Sequence, residues 1–356
     1  MSADNLLRRP PDPRDRLTRE MLLHPGPEDR PGIRWWWQSP VSPDELIREL
    51  HAIRDAGFGE VEIAFSPGFW GDIAQRHALG VILDEARKLG VGVASTLGAA
   101  WPLQTPNTGR GTENASKELQ YGVVYLAGGE PRDVDLPRPF DDPSGIRGGE
   151  IVAVTLARVR RRGPGPRIRV VQDPWRGDVP EITPPSEPTI LDHNSLKNVT
   201  ADITDGVFTW GGADGEWALF AMWMRDTDQG VTSFLDRRAA QAAAEYIDVH
   251  QIGTENVAKL AEAGTDLFED SLELNADSLF WSPDLLDRFR ARRGYDIVAY
   301  LPLLFAHGMC RYWVPNDDPV PDFDTDNGSG TRIRRDYYRL ITDLYGLFTK
   351  QGVGGV

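Results

Sequence analysis

The sequence is poor in cysteine, short of basic residues relative to acidic ones, and lacks any long apolar run; each deficit removes a class of protein. One cysteine, Cys310, in 356 residues leaves no partner for an internal disulfide and no multi-cysteine zinc site. Lys and Arg number 39 against 54 Asp and Glu, giving a formal net charge of −15, so the basic stripe that grips a phosphate backbone is missing. The one basic run, Arg158 to Arg167, reads as a solvated strand and loop. No apolar stretch reaches membrane-spanning length, and the charged, proline-rich opening "MSADNLLRRPPDPRDRLTRE" carries no hydrophobic segment of the secretory type. The expectation is a cytoplasmic chain with neither a membrane nor a nucleic-acid partner. The six histidines form no H-E-x-x-H pair, and there is no G-x-S-x-G elbow and no phosphate-binding P-loop. His193 and His250 read as ordinary hydrogen-bonding residues.

What is present is a large apolar fraction, 40%, enough for one big domain with an insertion or for two domains. In "SPDELIRELHAIRDAGFGEVEIAF", Ser42 is placed as an N-cap, Pro43 at the first helical position and Glu45 at the capping-box position. Leu46, Ile47, Leu50 and Ile53 repeat at helical spacing, Gly57 supplies the stop, and Val61 to Phe65 suits a buried strand. The same grammar returns in "LGVILDEARKLGVGVAST", closed by Gly90, and again in "VAKLAEAGTDLFEDSLE". Alternating helix and strand implies a parallel sheet with right-handed crossovers. A (β/α) barrel and a doubly wound sheet both satisfy it; the barrel is favoured because polar and aromatic residues collect just past each strand and no Gly-rich phosphate loop does. Strands are expected at residues 33–37, 61–65, 91–95 and 265–269, adjacent and parallel.

The fold class expected is therefore α/β: a partial (β/α) TIM-type barrel with an inserted antiparallel β-rich segment. Residues 1–32 form an extended or disordered lead-in, 33–117 the first part of the barrel, 118–228 the insertion and 229–356 the continuation. The insertion is read from "YGVVYLA", "GEIVAVTLARV", "RIRVV", "GVFTW" and "EWALFAMWM", strand-like runs separated by Pro, Gly and Asp clusters.

Trp35, Trp36 and Trp37 stand side by side in the first strand. Successive side chains on a strand point to opposite faces, so Trp36 must face away from the other two, and one core cannot take all three. The strongest chemical candidate is "FEDSLEL", where a strand delivers Glu269, Asp270 and Glu273 to its end, with Trp281 following. Carboxyl groups in an aromatic-lined cleft suit glycosidic bond cleavage, because burial beside rings lets one of them keep a proton for the leaving oxygen. The spacing Asp270-x-x-Glu273 fits a helix N-cap pair equally well. The acidic stretch "DDPVPDFDTDNGSG", with Asp322, Asp324 and Asp326 at alternate positions, lacks the late bidentate glutamate of a calcium loop and reads as a solvated loop.

Taken together, "RWWWQSPVSPDELIRELHAIRDAGFGEVEI", "LGAAWP", "FEDSLEL" and "RFRARRGYDIVAYLP" resemble glycoside hydrolase family 106, the α-L-rhamnosidases and their relatives, in order from about residue 31 to 345. The resemblance implies a (β/α)-barrel catalytic domain with β-sandwich accessory parts, inverting hydrolysis of α-L-rhamnosides, and a calcium requirement. It points to Glu273 as general acid and Asp270 as a supporting acceptor, with Glu62 a second-choice carboxylate at the site. Trp35, Trp36, Trp37, Trp101 and Trp281 would wall a sugar whose methyl group replaces a hydroxymethyl; the same rings would equally seal the barrel floor. Family members run longer, and four strands do not close a barrel that needs eight. The partner base, expected roughly 6.5–9.5 Å from the acid, would then lie beyond residue 356, and the open barrel would favour self-association. A carbohydrate-binding remnant without catalysis is the alternative expectation.

Overall fold

The computed structural model describes residues 18–65, 71–98, 102–173, 177–268, 274–307 and 319–352. In chain order the elements are α1 (Arg19–Leu23), β1 (Gly32–Trp37), α2 (Pro43–Asp55), β2 (Glu60–Phe65), α3 (Ile73–Leu89), β3 (Gly92–Thr96), β4 (Lys117–Ala127), β5 (Arg132–Asp135), β6 (Glu150–Arg161), β7 (Arg167–Asp173), β8 (Gly177–Thr183), β9 (Thr189–Leu191), β10 (Lys197–Asn198), β11 (Ile203–Thr204), β12 (Val207–Trp210) and β13 (Glu216–Asp226). They continue with α4 (Arg237–Tyr246), α5 (Val257–Ala263), β14 (Gly264–Phe268), β15 (Leu279–Trp281), α6 (Leu285–Arg293), β16 (Phe323–Thr325) and α7 (Gly330–Gly352). The chain divides into two compact units, Met1–Leu103 with Glu245–Asp270, and Gln104–Ala244 with Ser271–Val356. No helix among the described residues is long and apolar enough to cross a membrane.

The first unit holds a curled half-barrel sheet in the order β1-β2-β3-β14, every neighbouring pair parallel. These are the four strands the alternating pattern requires, each within a residue of its expected place. Ser42 caps α2 by accepting from the Glu45 backbone N–H, and Pro43 occupies the first turn. The reciprocal half of the capping box is replaced by an ion pair, because the Glu45 carboxylate goes to Arg48 one turn on. Gly90 closes α3 at φ 66°, a left-handed angle that a side chain resists. Leu46 and Leu50 from α2, Leu79, Ile82, Leu83 and Ala86 from α3, and Val61, Ile63, Phe65 and Val93 from the strands make one core, which Trp35 and Trp37 join. One face of the sheet is thereby committed to the helices.

The second unit is antiparallel at heart. Strand β13 pairs with β4 along eleven residues and with β6 on its other side, and the sheet runs β15-β4-β13-β6-β9-β16, with β10 added to β6. A three-stranded sheet, β11-β12-β5, and the β7-β8 hairpin complete it. All five runs expected in the insertion are strands. Gly122, within β4, has no room for a side chain: a Cβ there would lie 2.2 Å from the carbonyl oxygen of Pro137.

The continuation of the barrel was expected over residues 229–356; of these, 229–244, 274–307 and 319–352 lie instead in this unit. Leu279, Phe280 and Trp281 form β15 antiparallel to β4, with Trp281 only 1% exposed. "VAYLPLL", residues 298–304, folds as buried 3-10 turns rather than a barrel element; Pro302 within it has no N–H for a regular ladder.

Candidate active site

The face of the parallel sheet turned away from α2 and α3 gathers the polar chemistry of the first unit. Alternation puts Trp35 and Trp37 among the helices, and leaves Arg34 and Trp36 on the opposite side with Glu62 of β2, Thr96 of β3 and Phe268 of β14. Trp36 is 41% exposed, whereas Trp35 and Trp37 are 8% and 6% exposed. Arg34 grips Glu62 with two nitrogens, Nε to Oε2 at 3.1 Å and Nη2 to Oε1 at 3.0 Å. Thr96 Oγ1 donates to Glu62 Oε1 at 2.6 Å. The Arg34 guanidinium also lies 5.6 Å from the Trp36 ring centroid and 4.9 Å from that of Phe268. Gln251, on a short π-helical stretch (Ile247–Ile252), steadies the end of β3 by donating from Nε2 to the Thr96 carbonyl at 2.8 Å. The result is a fixed acceptor midway along β2, whose arginine partner lies against two aromatic rings. A carboxylate has about four lone-pair directions, and three donors on Glu62 leave room for one more.

The residues expected at the site are distributed differently. Glu62 and Trp36 belong to this face. Trp35 is spent on the core, its Nε1 donating to Glu49 Oε2 at 2.9 Å, and it meets Trp37 edge-on at 5.4 Å. Trp37 in turn meets Phe65 at 5.6 Å. Trp281 is a core residue of the second unit. Asp270, Glu273 and Trp101 lie outside the described residues. Arg34, Thr96 and Phe268 were not singled out from the sequence. The i, i+2 relation of Arg34 to Trp36 was the available signal.

The second unit contains a buried ionic network. Arg225 donates from Nε to Glu118 Oε1 at 2.8 Å and from Nη2 to Asp141 Oδ2 at 2.5 Å. Arg147 adds contacts to Glu118 at 3.1 Å and to Asp277 at 3.1 Å. Burial pushes the Glu118 carboxyl above its ordinary range, against the pull of Arg225, and burial does the same to Asp277 against Arg147. Nearby, the Asp322 carboxylate accepts from Tyr121 Oη at 2.9 Å and meets His307 Nδ1 at 2.5 Å.

That placement corrects the reading of the acidic stretch. Asp322 is 1% exposed rather than solvated, Asp324 accepts from Gly330 N and Arg334, and Asp326 accepts from His193. The three aspartates thus answer to different protein donors and do not converge on a cation. Among the described residues, Asp192, His193 and Asp326 do bring ligand atoms within 4.8 Å of one another, but Arg160 already contacts both carboxylates. Neither place, as the described residues are disposed, offers calcium a free set of ligands.

No protein-family model matches the chain. A curated protein of Formosa agariphila named "Putative beta-glucuronidase" is 21% identical in an alignment of 359 positions that covers 89% of this chain and 29% of that protein. A solved rhamnosidase from Novosphingobium sp. PP1Y aligns with a TM-score of 0.58 and 16% identity, over 92% of this chain and 44% of that one. The chain therefore spans less than half the length of either. The second likeness shows that nearly all of this chain shares its fold with part of that structure.

Proposed function

We propose that the chain carries out glycoside hydrolase chemistry, with α-L-rhamnosides as substrates and inversion at the anomeric carbon. The observation that carries this reading is the Arg34–Glu62–Thr96 cluster beside Trp36 and Phe268, on the sheet face turned away from α2 and α3. A ring with hydroxyls on its edge and C–H bonds on its face needs that combination: an anchored acceptor for a hydroxyl and aromatic surface for the apolar side. The names of the two similar proteins, each an enzyme acting on sugars, support the class.

In this reading Glu62 binds and orients, because its oxygens already accept two hydrogen bonds and pair with the Arg34 guanidinium, and a proton-donating role would require giving some of this up. Proton donation to the leaving oxygen falls to Glu273, with Asp270 as its acceptor, and Trp36 with Trp101 walls the sugar. Binding without turnover is the second reading, favoured by the same donors held on Glu62. Calorimetry with methyl α-L-rhamnopyranoside, run beside hydrolysis of 4-nitrophenyl α-L-rhamnopyranoside and β-D-glucuronide, separates the readings. Release of nitrophenol from the rhamnoside alone supports the first, heat without release the second, and neither signal defeats both.

A further inference from the structure

On the helix side of the parallel sheet, a cavity of about 60 Å3 lies beside the ends of β1 and β2 and the first turns of α2 and α3. Trp37, Val41, Leu46, Phe65, Gln75 and Ala78 line it. Three buried polar atoms on two of these side chains have no hydrogen-bond partner among the described residues: Trp37 Nε1, Gln75 Nε2 and Gln75 Oε1. Both side chains are more than nine-tenths buried, Gln75 being 8% exposed. Nearly all buried polar groups in folded proteins are paired, because the desolvation of an unpaired one is not recovered. Three in one small space mark a place where another molecule completes the pairing.

The local sequence explains why Gln75 is available. It stands three residues after the N-cap of α3, where a capping-box glutamine would turn back to the helix end. Here Asp72 makes the cap, accepting from Ala74 N at 2.7 Å, and the glutamine amide is left to the cavity.

The unpaired set is an indole N–H, an amide NH2 and an amide oxygen, two donor nitrogens and one acceptor oxygen without formal charge. Asp72 also lines the cavity, which disfavours an anion. Two adjacent hydroxyls match the set: one accepts from the Gln75 amide nitrogen while its neighbour donates to Oε1, and Trp37 Nε1 donates to either. The walls of Val41, Leu46, Phe65 and Ala78 suit the C–H groups between them. A cavity of roughly 150 Å3 takes up a whole benzene ring, so this smaller one admits a ring by one edge only.

We propose that the cavity is a binding site for the vicinal-diol edge of a small neutral molecule, seated by Gln75 and Trp37. It lies on the opposite sheet face from Glu62 and Trp36, and does not depend on the hydrolase reading.

The test is an NMR titration of the full chain, following the indole N–H resonance of Trp37 after assignment by Trp37→Phe. Cis-cyclohexane-1,2-diol should shift it saturably, and cyclohexanol should have a midpoint roughly tenfold weaker, reflecting one lost hydrogen bond to a buried partner. Methyl α-D-mannopyranoside and propane-1,2-diol, run alongside, tell a sugar edge from an open-chain glycol, and saturation by either supports the site. Gln75→Met removes the amide at nearly constant volume and Ala78→Leu fills the space; each should abolish the response, while Trp36→Phe should keep it. A cavity holding water only would show no saturable shift, which overturns the proposal. Equal midpoints for diol and cyclohexanol, or a wild-type midpoint in Gln75→Met, overturn it too. If Gln75→Met does not fold, a wild-type midpoint in Ala78→Leu has the same force.

Discussion

Breaking the Arg34–Glu62 pair is the perturbation whose size the geometry best constrains. Two nitrogens of Arg34 meet both oxygens of Glu62 at 3.0–3.1 Å, and the side chains are 28% and 18% exposed, between the surface and the interior. An exposed pair contributes about 0–1 kcal/mol, while hydrogen bonds to a charged partner out of water contribute about 1.5–3 kcal/mol. The coupling expected here is about 1–2 kcal/mol, from a double-mutant cycle over Arg34→Met, Glu62→Gln and the double variant. Arg34→Met also uncovers the Trp36 and Phe268 rings, a loss of about 0.5–1 kcal/mol that the cycle subtracts. Urea denaturation gives the four stabilities, and repetition at high salt tests screening, which should remove only a minor share. A coupling below about 0.5 kcal/mol, within ordinary additivity, would make the pair a loose surface bridge and refute the argument that Glu62 is held in place for a ligand.

Other consequences are independent of that pair. Arg225→Met takes from the buried Glu118 and Asp141 the nearer of the two arginines that bridge them, leaving Arg147 at 3.1 and 3.5 Å, and should cost about 3 kcal/mol, a fall in Tm of roughly 6–12 °C for a unit of this size; a fall of a degree or two would show that Arg147 and water make good the loss. Because burial raises the Glu118 carboxyl above 4.5, the folded state retains a proton that the unfolded chain releases, so this residue's contribution to stability declines as pH climbs above that value. The stability difference between wild type and Glu118→Gln should therefore shrink with rising pH in that range, and a growing difference would contradict the assignment. Gly122→Ala forces a methyl group to within 2.2 Å of a backbone oxygen, and should lower stability by about 1–3 kcal/mol or more; an unchanged urea midpoint would mean that the loop at Pro137 yields freely.

Much of the first unit was legible because its signals are local. Ser42 and Pro43 start a helix, Gly90 ends one, and the period of Leu46, Leu50, Leu79 and Ile82 decides which face is buried. Strand alternation alone separated Trp36 from its neighbours. What escaped depends on partners distant in the chain. Three residues, Leu279 to Trp281, show no period, so their pairing with β4 was invisible until β4 itself was placed. Asp322 looked solvated because its partner Tyr121 lies 201 residues away. The α5–β14 junction carries a glycine like the others, yet Gly264 has φ −73° and opens the strand rather than reversing the chain. The cluster around Glu62 needed the register of three strands, which fixes Thr96 and Arg34 as its neighbours.

The account rests most directly on sugar cleavage by the intact chain. Incubated with 4-nitrophenyl α-L-rhamnopyranoside and followed by proton NMR, the protein should first release the β-anomer of the free sugar, with Glu273→Gln abolishing release and Glu62→Gln raising KM more than it lowers kcat. First release of the α-anomer would contradict inversion, and undiminished release by Glu273→Gln would remove the general acid. Absence of both turnover and a heat of binding would contradict the glycoside reading itself.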